Sequence, residues 1–97
     1  MARPTKSYQQ VLRSLPRSRK INSVSLGAEA LFVRLLLLVD PRGRFFASPF
    51  RVAALVFVER VESGEVSTED VGRWLDELET VGLLRRYEVD GDALLEP

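Results

Sequence analysis

The 97 residues include no histidine and no cysteine, which confines any chemistry to carboxylates, guanidiniums, amines and hydroxyls. Imidazole bases, thiol nucleophiles, disulfides and Cys/His metal sites are excluded. Adjacent carboxylates occur at Asp76 and Glu77, but consecutive helical residues point about 100° apart and make no acid/base pair. The six glycines are scattered, so no phosphate-cradling loop stands out. No enzyme, cofactor or metal is expected. What remains is charge.

The chain has 14 basic and 14 acidic residues, yet they are segregated. Arg3, Lys6, Arg13, Arg17, Arg19 and Lys20 lie in residues 1–20 beside no carboxylate, which leaves the remainder with a charge of −6. Basic arms on small domains meet phosphate backbones. An arm folded back on its own acidic body is the alternative reading. The apolar run from Leu31 to Val39 is interrupted by Arg34 and is about half the length of a membrane span, so no membrane partner is expected.

Positioning these charges requires a fold, and the clearest element lies near the C-terminus. Ser67 or Thr68 caps a helix whose first turn holds Glu69 and Asp70. Val71, Trp74, Leu75, Leu78 and Val81 recur at one-face helical spacing. Gly82 stops the helix, and LLRRYEV and DALL around Asp90-Gly91 read as a hairpin with a two-residue turn. Trp74 and Tyr87 read as core residues, not as base-stacking platforms.

Upstream, Ser25 caps a helix over Leu26–Val39, with Ala28, Leu31, Phe32, Leu35 and Val39 facing inward. Asp40-Pro41-Arg42-Gly43 is a turn, and Arg44–Phe46 a short strand that pairs with the hairpin. Ser48-Pro49 opens a second helix with Val52, Leu55, Val56 and Phe57 inward, and Val58–Val66 connects it to the last helix. Tyr8, Val11, Leu12 and Leu15 have the spacing of a short amphipathic helix, which a tail that orders on binding also fits. The expected class is therefore α+β, a winged helix-turn-helix. It has a three-helix core and a short three-stranded antiparallel sheet over residues 21–97, with a basic arm or short helix over residues 1–20.

Beyond the order of elements, the runs VSLGAEALFVRLLLLVDPRGRFFASPFRVAALVF and EDVGRWLDELETVGLLRRYEVDG resemble the winged-helix domain of phage and prophage replication proteins of the replisome-organiser type. Ser25, Ala28, Leu31, Phe32, Asp40, Gly43, Arg44, Pro49, Val52, Phe57, Leu75, Leu78, Gly82, Leu83, Arg86, Tyr87, Val89 and Gly91 carry the likeness. It covers about residues 21–92, most of its positions are structural, and it implies a DNA-binding accessory in phage replication or transcription regulation. A cytoplasmic location is expected, in the host cell if the chain is phage-encoded.

In a winged helix on DNA, the third helix enters the major groove and the wing meets the backbone. Here that helix presents Glu69, Gly72, Arg73, Asp76, Glu77, Glu79 and Thr80, an acidic face that phosphates repel. Duplex contact is therefore assigned mainly to Arg13, Arg17, Arg19 and Lys20, with Arg42, Arg44, Arg73 and Arg86 in support. The carboxylates read either as a solvated surface with pairs such as Glu69–Arg73 and Arg73–Glu77, or as a surface for a host or phage protein. In the second reading Glu69, Arg73, Asp76 and Glu77 form the contact of a replisome adaptor or of an inhibitor of host nucleic-acid machinery. Self-association through Leu36, Leu37 and the N-terminal helix would give a homodimer.

Overall fold

The last helix, α5 (Thr68–Thr80), begins with two reciprocal hydrogen bonds. Ser67 Oγ accepts from the Asp70 amide at 3.1 Å, and Asp70 Oδ2 accepts from the Ser67 amide at 3.0 Å. This capping box satisfies two of the amides that a helix start leaves unpaired. At the other end Gly82 takes φ 82°. Its amide donates to Glu79 O and that of Leu83 to Leu78 O, the pairing that closes a helix on a left-handed residue. Between these ends Val71, Leu75 and Leu78 are completely buried.

The structure is a computed structural model and describes residues 8–97, with side chains from residue 11 onward. Arg3 and Lys6 lie outside the described residues. In chain order it has α1 (Tyr8–Ser14), α2 (Leu26–Leu38), β1 (Phe45–Phe46), α3 (Pro49–Val56), α4 (Val58–Glu62), α5, β2 (Arg85–Val89) and β3 (Asp92–Glu96). Two single 3-10 turns, Leu15–Arg17 and Ile21–Ser23, join α1 to α2. Among the described residues the result is an α+β domain in which five helices accompany one antiparallel sheet of order β1-β3-β2. No helix among the described residues is long and apolar enough to cross a membrane.

Ser25 caps α2 as its sequence anticipates, accepting from Ala28 N at 3.2 Å, and Ala28, Leu31, Phe32 and Leu35 enter the core. Each buried leucine contributes about 1.5–3 kcal/mol relative to an exposed one. The α2 sequence is apolar around most of its circumference, and the helix packs against α1, α3 and α5, so Leu36 is buried as well while Val39 is only partly covered. That burial removes Leu36 from any surface of self-association.

Three expectations change. Val52, Ala53 and Val56 form the inner face of α3, so Leu55, one step of about 100° from Val56, points to solvent and is 53 % exposed. The connector after Val56 contains a helical turn, α4, which starts after Phe57 breaks the helix at φ −125°, ψ 41°. Tyr87 lies on the outer face of the sheet. The Asp90-Gly91 turn has φ 52° and 85°, the geometry of a type I′ turn, and it pairs Arg86 with Leu95 and Tyr87 with Leu94. Leu95 is fully buried, so its cross-strand neighbour Arg86 shares the inner face and Tyr87 the outer one.

Candidate nucleic-acid interface

The cationic N-terminal segment is pinned to the domain. Leu15 and Ile21 join the core at 8 % and 1 % exposure, and Val11 and Leu12 pack against it. Asn22 Nδ2 donates to Ser18 O at 2.7 Å and to Pro16 O at 3.2 Å, while Ser18 Oγ accepts from the Ile21 amide at 3.2 Å. These contacts hold Arg13, Arg17 and Arg19 outward, each exposed and without a carboxylate partner among the described residues. Lys20 sits differently. Its Nζ lies 3.4 Å from where a Cβ on Gly82 would stand, beside the C-terminus of α5, where the helix dipole favours a cation.

The turn after α2 presents Arg42 and retains Arg44. Asp40 Oδ1 accepts from the Arg44 amide at 2.8 Å and the Arg42 amide at 2.9 Å. The Arg44 amide is the largest cause of a lowered Asp40 pKa, with slight burial opposing it and the Arg42 amide and both guanidinium charges adding to it. Arg44 Nε faces Asp40 Oδ2 at 3.6 Å, whereas the Arg42 side chain is exposed and unpaired among the described residues.

On α5 the charged groups are engaged within the domain. Arg73 bonds Asp70 Oδ1 at 2.6 Å, in place of the expected pairs with Glu69 and Glu77, because Asp70 is already fixed by the capping box. Its carboxyl is held below the ordinary value first by the Ser67 amide and then by Arg73, against a small effect of burial. Glu77 reaches across to α2: Oε1 accepts from the Ser25 amide at 2.7 Å and Oε2 from Ser25 Oγ at 2.8 Å. The same serine that caps α2 is thus tied to the middle of α5. Arg86, expected on the hairpin as a phosphate contact, instead turns toward α5. Its Nη2 bonds Asp76 Oδ1 at 2.6 Å and, with Nε, clasps Glu79. Burial opposes its charge, but the hydrogen bonds it donates to Asp76 and Glu79 outweigh that and raise its pKa. Of the carboxylates on this helix only Glu69 is without a hydrogen-bonded or ionic partner among the described residues.

Three tertiary contacts have no local sequence signal. Trp74 packs edge-to-face on Phe57, with ring centroids 5.7 Å apart, and its indole lies where a side chain on Gly27 would be. Arg34 donates to Val56 O at 2.9 Å and lies 4.7 Å over the Phe57 ring, closing the end of α3. The spacing of Glu77 and Ser25, 52 residues apart, could not have revealed their bond. Comparison with protein-family models, curated proteins and solved structures returned no match.

Proposed function

We propose that this chain is a winged-helix module that binds duplex DNA through phosphate contacts from its N-terminal segment, as an accessory in phage-type replication or transcription regulation in the cytoplasm. The element order and the β1-β3-β2 sheet suit that fold, with α5 as the third helix and β2-β3 as the wing. The supporting observation is a division among the cations. Of the described body arginines, Arg44, Arg60, Arg73, Arg85 and Arg86 are paired with a carboxylate and Arg34 bonds Val56 O, which leaves Arg42 and Arg51, whereas Arg13, Arg17 and Arg19 are all exposed, and unpaired among the described residues, on a segment anchored at Leu15 and Ile21. An anchored segment loses less conformational freedom on meeting DNA than a free tail would. The acidic tip at Asp90 and Asp92 and the engaged face of α5 disfavour base reading, so contact follows the backbone and shows little sequence preference.

Fluorescence anisotropy of a random-sequence duplex, titrated across salt, tests this. Four phosphate contacts give a log–log slope of about −3.6, at about −0.9 for each. Converting Arg13, Arg17, Arg19 and Lys20 together to glutamine removes most of that slope, leaving at most the share of Arg42. Substitution is preferable to truncation before Ile21, which would remove Leu15 from the core. Absence of binding at low salt, or an unchanged slope in the quadruple variant, refutes the proposal.

A further inference from the structure

The outer face of the sheet carries a row of side chains that neither the core nor the proposed duplex contact uses. Phe46 and Tyr87 both stand opposite Leu94 in the strand register, so one residue from each of β1, β3 and β2 lies side by side across the face. Phe46 is 40 % exposed, and Leu94 and Tyr87 are partly so. A guanidinium lies over each ring. That of Arg51 is 4.7 Å from the centroid of Phe46, and that of Arg85 is 4.6 Å from the centroid of Tyr87. Both arginines are exposed. Arg85 also pairs with Glu96, whereas Arg51 has no carboxylate partner among the described residues.

Rings and guanidiniums alternating across one face suit a particular ligand. The arginines break the apolar surface into small pieces, which offers a protein partner no continuous patch to bury. A flat base on an anionic backbone is served by both parts, since aromatic rings and guanidinium planes each stack on bases and the cations attract phosphate. In a duplex the base faces are already stacked on their neighbours, so only an unpaired strand can use these rings. The row also adjoins the cationic N-terminal segment: Arg85 lines one cleft with Gly82, Glu96 and Pro97, and Lys20 Nζ stands beside Gly82. We propose that this face binds a single-stranded segment of nucleic acid, with bases stacked on Phe46 and Tyr87 and phosphates beside Arg51 and Arg85. Asp92 and Glu96 share the face by strand alternation, which keeps phosphates off β3 and leaves stacking as the main attraction. The proposal rests on reading the chain as a nucleic-acid binder, and adds a site for parted strands next to the one for duplex.

Fluorescence anisotropy of the full chain with labelled oligothymidine of about 15 nucleotides, beside the random-sequence duplex, separates the two sites. Phe46→Leu and Tyr87→Leu keep an apolar side chain and each weaken oligothymidine binding about tenfold, within the range of one lost base–aromatic stack, while duplex affinity changes by less than about twofold. Tyr87→Phe retains the ring and stays within about twofold of the original chain. Arg51→Glu, at an exposed position, weakens oligothymidine binding about fivefold. Where circular dichroism shows a leucine variant unfolded, Arg51→Glu decides alone, and an unchanged affinity in it overturns the inference. Oligothymidine that is not bound at low salt, or is bound equally by the original chain and both folded leucine variants, overturns the inference and leaves duplex contact standing. If the duplex is not bound while oligothymidine is, and these rings are needed for it, the duplex reading fails and this one holds.

Discussion

Replacing Gly27 by alanine tests how α2 and α5 are held together. A Cβ at this position would stand 2.2 Å from Cε2 and Cζ2 of Trp74 and 2.6 Å from its Nε1. Ordinary carbon contacts are about 3.5–4.0 Å, so the indole must withdraw by more than an ångström. It is half-buried and can swing outward, but doing so breaks its edge-to-face contact with Phe57. That contact is worth about 0.5–1.5 kcal/mol, and overpacking of this kind costs about 1–3 kcal/mol. The better helix propensity of alanine returns at most about 1 kcal/mol. Net destabilisation of about 1–3 kcal/mol is expected, which for a domain of this size lowers the melting temperature by roughly 5–20 °C. The chain has one tryptophan, so its emission reports this ring alone and should shift to the red. In a Trp74→Leu background the same Gly27→Ala change should cost little, since the obstructing ring is gone. A melting temperature equal to or above that of the original chain, with unchanged emission, refutes the reasoning.

Arg86→Gln leaves Asp76 and Glu79 without their shared cation and should cost about 1–2 kcal/mol in urea unfolding, allowing for the solvent around Asp76. The same variant should change low-salt DNA affinity by less than about twofold, since this guanidinium faces α5; a large loss of binding in stable protein would contradict the assignment. Glu77→Gln weakens the tie to Ser25 and should lower stability by about 1 kcal/mol, measured by the same unfolding. Asp70 has its carboxyl held below the ordinary 3.8 in the folded chain. Its contribution is therefore complete above about pH 4 and disappears as pH falls through the lower folded value. The urea midpoint should drop more steeply below pH 4 in the original chain than in Asp70→Asn, and parallel curves would argue against the capping box.

The elements carried by local rules were legible in the sequence. Ser25, Ser48 and Ser67 cap helices where short-range preferences place them, Gly82 ends α5, and Asp90-Gly91 sets the hairpin. Each depends on residues within a few positions, which periodicity and turn chemistry can read. The surface of α5 was legible in composition and not in its connections. Its carboxylates are visible as a row, but whether they face solvent, a partner or the protein itself depends on Ser25 and Arg86, which only the tertiary fold brings alongside. Leu55 was placed inward because it fits the apolar pattern as well as Val52 and Val56 do, and hydrophobicity alone does not tell a core leucine from an uncovered one. Arg86 was assigned to solvent because strand alternation leaves open which of two adjacent arginines turns inward.

The hydrogen bonds that Ser25 donates to Glu77 make a residue on the outer side of α5 part of the framework. Where the outer residues of a helix are free of such ties, its surface can drift without harm to folding. Here most exchanges at Asp70, Asp76, Glu77 or Glu79 first loosen the scaffold, so a lineage altering this face would pass through less stable intermediates. Glu69, Gly72 and Thr80 are the positions on that helix where such change is cheapest, and variation among relatives should concentrate there.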